Sequence, residues 1–159
     1  MVQMKAYRVV LRIMMLRAFA INIISCNKFS AGSYSGSQEY EVNMSSTELI
    51  RRVIQIKNDN PHLNVWTENE EGKLYNIDHK SGDYYSFYFK LPINGNTVIA
   101  LTVIDERESY PAIIMLNSIT YSQNLGGFIK IDSKKLSREE RKNIEFVFKK
   151  NVIEKIMND

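Results

Sequence analysis

The spacing of apolar residues along the chain changes from helical to alternating and back. Leu49, Ile50, Val53, Ile54 and Ile56 recur at the intervals of one helix face, behind Ser45 and Glu48 at capping-box spacing. Asn58-Asp59-Asn60-Pro61 stops that helix, because the residue before proline avoids the helical region. The period then becomes two. In Asp83 to Leu91, Tyr85, Phe87, Phe89 and Leu91 alternate with Tyr84, Ser86, Tyr88 and Lys90, the pattern of a half-buried strand. Asn94-Gly95 is a hairpin turn pair, since both residues tolerate positive φ, and Thr97 to Asp105 reads as the returning strand. Further strands are expected at Leu74 to Asp78, Ala112 to Tyr121 and Phe128 to Ile131, with a loop from Glu106 to Pro111.

The helical period returns at the end. Ser137 and Glu140 form a second capping-box pair, and Ile144, Val147, Phe148, Val152 and Ile156 mark one face of a helix reaching about Met157. Helix, antiparallel strands and helix together predict an α+β domain over residues 45–159. Its meander sheet of four to five strands carries an N-terminal and a C-terminal helix on one face.

The first 25 residues differ from this domain. They carry Lys5, Arg8, Arg12 and Arg17 without a carboxylate, then an uncharged apolar run from Ala18 to Ser25, in the order of a secretory signal peptide. Arg12 and Arg17 interrupt the roughly 20 apolar residues that a membrane span needs. The formal charge of +3 comes from this leader, because removing its four basic residues from 21 leaves 17 basic against 18 acidic side chains. A near-neutral remainder argues against a nucleic-acid partner.

Ile23-Ile24-Ser25-Cys26 follows the apolar run, and Cys26 is the chain's single cysteine. This segment resembles the lipobox of bacterial lipoproteins. The resemblance implies cleavage before Cys26, lipid attachment to its thiol, and a location in the cell envelope facing the periplasm. Residues 26–44 then read as a tether, because Asn27 to Glu41 is rich in Ser and Gly without hydrophobic period.

Candidate chemistry is sparse. One cysteine and two histidines cannot build a typical structural zinc site, and His62 and His79 lie 17 positions apart in expected loops, where Ser81 beside Gly82 reads as turn rather than nucleophile. Glu68-Asn69-Glu70-Glu71-Gly72 lacks the alternating ligands of a calcium loop, and Gly126-Gly127 is no phosphate loop. No metal or cofactor is expected. The acidic stretches 68–71 and 105–108 leave an envelope hydrolase using carboxylates as one alternative, and a structural subunit of an envelope complex as another.

The leading expectation is a non-enzymatic module, inhibitor- or immunity-like, that binds a protein or glycan through the sheet face opposite Phe87 and Phe89. Parity counting places Tyr84, Tyr88, Thr102 and Asn117 on that face, with Val98, Ile104, Ile113 and Met115. Tyrosines on a rigid sheet lose little entropy when they make contacts. The alternative is that they pack on a neighbouring loop or on the tether.

Overall fold

A computed structural model describes residues 34, 36–107, 110–121 and 125–158. The expected signal peptide over residues 1–25 and the expected lipid-attachment residue Cys26 lie outside the described residues. The chain combines helix and strand. In order it forms β1 (Gln38–Val42), α1 (Ser46–Asp59), a 3-10 turn (Pro61–Leu63), β2 (Trp66–Glu68), β3 (Leu74–Asn76), β4 (His79–Ser81), β5 (Tyr84–Ile93), β6 (Asn96–Asp105), β7 (Ala112–Thr120), β8 (Ile129–Lys130) and α2 (Arg138–Phe148). A π-helical turn (Lys149–Ile153) carries α2 into α3 (Glu154–Asn158).

The expected antiparallel hairpin is present across the expected turn. β5 and β6 pair from Tyr84↔Asp105 to Ile93↔Asn96, and Asn94 and Gly95 both have positive φ, at 50° and 78°. The sheet is larger than predicted, with six strands rather than four to five. Its order is β1-β7-β6-β5-β4, all neighbours antiparallel, with β8 also on β7. β2 and β3 form a separate ribbon, and His79 lies in the short edge strand β4 rather than in a loop.

The tether expected over 26–44 ends earlier than the sequence suggested. Gln38–Val42 pairs with β7, with Tyr40 opposite Ile114 and Val42 opposite Ala112. In QEYEV, Tyr40 and Val42 share one face while Glu39 and Glu41 take the other, so this is a short amphipathic edge strand whose charges blunt further pairing. β1 and β8 meet β7 at successive stretches, and the register slips by one between them, at Asn117. This bulge lets both Leu116 and Ile119 face the core. Asn117 Nδ2 donates to Ser37 Oγ at 3.0 Å, and the Asn117 carbonyl accepts from Ile131 N at 3.0 Å, so one residue ties the two segments together.

Both helices start where their caps predict. Ser45 Oγ accepts from Glu48 N, and Ser137 and Glu140 form a reciprocal capping box. Leu49, Val53 and Ile56 of α1 and Ile144, Phe148, Val152 and Ile156 of the C-terminal helical segment join Phe87, Phe89, Leu91, Ala100, Ile114 and Leu116 in one core. Phe148 meets Phe89 edge-on at 5.9 Å and Tyr40 at 5.5 Å, anchoring α2 to the sheet by aromatic contacts. Arg52 Nη1 donates to the Ile156 carbonyl at 2.9 Å, linking α1 to the chain's last turn.

Thr102, Val98 and Ile104 face this core, not the opposite side. A two-residue turn pairs positions whose numbers sum to 189, so even residues of β6 lie beside odd residues of β5. Counting even with even across the hairpin therefore reverses the face. Thr102 lies opposite Phe87, is fully buried, and donates through Oγ1 to the Phe87 carbonyl at 3.2 Å.

Candidate functional site: an aromatic groove over a buried ion pair

The second sheet face carries Tyr84, Ser86, Tyr88 and Lys90 from β5, Ile99, Leu101 and Val103 from β6, and Met115 from β7. It is closed along its middle, where Ile99, Val103 and Met115 are buried, and Ile113 is half-buried. Tyr84 and Tyr88 share this face as predicted, yet each is partly covered. Tyr34, from the expected tether, packs on Tyr84 at 5.1 Å, and Phe128 meets Tyr88 edge-on at 6.1 Å. The packing alternative thus describes Tyr84. Arg107 lies 5.7 Å from its ring and donates to its hydroxyl at 3.3 Å.

Tyr88 is different, because it floors a groove of about 540 Å³ bounded by Tyr75 to His79 on one side and by Leu125 and Phe128 on the other. The His79 ring stacks over Tyr88 at 6.0 Å, and Tyr75 on the rim is 47% exposed. Trp66 and Leu74 of the β2-β3 ribbon are also exposed, on the ribbon face opposite Tyr75. Of the predicted binding residues, only Tyr88 lines this groove. Tyr84 lies under Tyr34, Thr102 is in the core, and Asn117 is at the bulge.

Beneath the groove sits a group that sequence reasoning overlooked. Lys57 of α1 is buried and forms an ion pair with Asp78, in the bend between β3 and β4. The two replace a missing strand. β4 stops opposite Ser86, and at Tyr88 the main chain is satisfied by side chains instead: Lys57 Nζ donates to Tyr88 O, and Tyr88 N donates to Asp78 Oδ1, both at 2.8 Å. Asn76 Nδ2 donates to Asp78 Oδ2 at 3.1 Å, and Asp78 N to Asn76 Oδ1 at 3.2 Å. Phe89 and Phe87 lie 5.1 and 5.9 Å from the ammonium. Burial lowers the Lys57 pKa from its ordinary value, opposed by the Asp78 carboxylate. A signal was available in the sequence, because Lys57 falls seven residues after Ile50 on the buried stripe of α1.

His79 Nδ1 lies 3.0 Å from the Ile77 carbonyl, which can only accept, so Nδ1 is the donor of that contact. Burial, followed by the charge of Asp78, raises the Tyr88 phenol above its usual range and keeps it protonated. Two carboxylates of the acidic stretches are paired. Asp105 is paired with Arg107, whose side chain lowers its pKa, and Glu106 is paired with Lys80. Asn69 Oδ1 accepts from Glu71 N at 3.1 Å and Lys73 N at 2.8 Å, making the other stretch the turn of the β2-β3 ribbon. Among the described residues no group of three or more His, Cys, Asp or Glu is placed to hold a metal ion, and no helix is long and apolar enough to cross a membrane. Comparison with protein-family models, curated proteins and solved structures finds no match to this chain.

Proposed function

We propose that this protein is a non-enzymatic binding module of the bacterial cell envelope, tethered through a lipid on Cys26, that engages another macromolecule through the aromatic groove at Tyr88. The observation that carries the binding reading is the groove itself: Tyr75, His79, Tyr88 and Phe128 surround an open recess whose charged floor groups are already paired. Aromatic rings held on a rigid sheet give contact area at low entropic cost. The anchor rests on the leader and on the Ile-Ile-Ser-Cys box. Its role is to fix the domain at the membrane surface, where it acts as an inhibitor- or immunity-like protector.

Two measurements test this reading. Mass spectrometry of the native protein is expected to find a lipid-modified Cys26 at the N-terminus, and Cys26→Ala is expected to leave the membrane fraction; an intact leader would refute the anchor. Tyr75→Ala/Tyr88→Ala, checked for a retained cooperative thermal transition, is expected to lose capture of the partner from detergent-solubilised envelope. Undiminished capture by a folded variant would move the binding surface elsewhere.

A further inference from the structure

We infer that the ligand class of the Tyr88 groove is an uncharged carbohydrate chain. The inference rests on the binding reading above and deepens it. Three features of the groove select against other occupants.

First, the main chain at Tyr88 cannot accept a peptide strand. An extended peptide binds a sheet edge through unpaired N–H and C=O groups, and here Asp78 holds the Tyr88 N–H while Lys57 holds the Tyr88 carbonyl. Second, the one carboxylate on the wall is neutralised. Asp78 spends one oxygen on Tyr88 N and the other on Lys57 and Asn76, so a cationic ligand finds no unpaired charge there. An anionic ligand fares no better, because Lys57 is buried beneath the floor and engaged by Asp78 and Tyr88 O. Third, the lining left is mostly aromatic, from Tyr75, Tyr88, His79 and Phe128, side chains that join ring faces to phenol or imidazole polar atoms. A sugar ring presents a C–H face that stacks on an aromatic plane and hydroxyl or acetamido groups at its edge that bond with phenol and imidazole. That combination of apolar body and hydrogen-bonding rim matches the lining.

The test uses the full-length chain with Cys26→Ala, and a β-1,4-linked N-acetylglucosamine tetramer as probe, because its sugar faces suit the aromatic rings and its acetamido groups can bond with phenol and imidazole. The de-N-acetylated cationic tetramer and an oligogalacturonate of equal length are the charged comparisons. The neutral probe is expected to shift the NMR signals of Tyr75, His79, Tyr88 and Phe128 saturably. Tyr75→Ala is expected to weaken it by about tenfold, the loss of one stacking platform. Tyr75 is exposed, so that variant keeps its fold; Tyr88→Phe, which retains the ring, is expected to weaken binding less. Tighter binding of either charged tetramer, or a neutral probe that leaves these four signals unmoved, overturns the carbohydrate assignment. Capture from solubilised envelope separates the two levels. If Tyr75→Ala loses a protein partner while the sugar probe never binds, the ligand class is wrong and the binding reading stands. If neither sugar nor partner depends on Tyr75 or Tyr88, both fall.

Discussion

Breaking the Lys57–Asp78 pair tests the groove's foundation most directly. Asp78→Asn keeps the shape and leaves an oxygen to accept from Tyr88 N, but it strips the buried ammonium of its counter-charge. Removing one partner of a buried pair costs about 3–5 kcal/mol, against a total of about 5–15 kcal/mol for a domain of this kind. Lys57→Met retains most of the stem packed against Phe87 and Phe89 and leaves Asp78 with its Tyr88 and Asn76 donors, so its cost falls at or below the low end of that range. The double variant removes both charges, and its loss is expected to be smaller than the sum of the singles. Urea unfolding at fixed pH, read as the midpoint with unchanged slope, provides the three values. Asp78→Asn carries a pH signature as well. A lysine whose folded pKa lies below its unfolded value of 10.5 binds fewer protons when folded, so stability rises with pH between those two values. Relative to wild type, Asp78→Asn should therefore recover stability as pH rises towards 10.5, and Lys57→Met should not. Additive losses, or single costs below about 1 kcal/mol, would refute the claim that the pair is a coupled, desolvated unit.

Three further perturbations read other parts of the fold. Arg51 and Arg52 hold the Glu48 carboxyl near a pKa of about 2, below the ordinary 4.5, so its contribution is present above pH 4.5 and lost as pH falls towards 2; Glu48→Gln is expected to flatten the acid limb of stability in that window. Ser137→Ala removes the N-cap of α2 and should cost about 1 kcal/mol by thermal unfolding, with no change in groove signals. Gly36 has φ +88°, and an added Cβ would collide with the Asp132 carboxylate. The exposed Asp132 side chain can swing aside but the backbone strain cannot be relieved, so Gly36→Ala should lose about 1–2 kcal/mol even in an Asp132→Ala background. An equal stability of Gly36→Ala and wild type in that background would remove the strain argument.

What the sequence disclosed and what it withheld divide along physical lines. Caps and turns are local, so Ser45, Ser137 and Asn94-Gly95 identified both helix starts and the central hairpin. The alternation of Tyr85, Phe87 and Phe89 identified one buried strand face for the same reason. Pairing partners are not local. QEYEV is too short and too polar to announce a strand, and it becomes one because β7 offers an edge and the Tyr40 ring reaches Phe148. The misplacement of Thr102, Val98 and Ile104 has a simpler origin: the faces within each strand were legible, but matching them across the hairpin requires the parity of a two-residue turn. Asn117 could not be placed by any count, since a bulge resets the parity of β7 at that residue.

Lys57 and Asp78 show why the groove was harder to see than the sheet beneath it. A lysine on the apolar stripe of a helix signals a buried partner, but the partner lies 21 positions away in a bend whose own residues carry no periodic signal. Their connection exists because the β4 ladder ends opposite Ser86, leaving the Tyr88 N–H and carbonyl beyond it. A fourth ladder step there would have satisfied the main chain and extended a flat edge open to further pairing. An ion pair satisfies the same two groups and terminates the edge, with the His79 ring stacked on Tyr88 and Tyr75 lining the same recess. The recess is thus a consequence of how the core resolves a short strand. Its aromatic lining is held at the Tyr88 end by contacts that reach from α1 through the core, which is the rigidity that a binding surface made of ring faces requires.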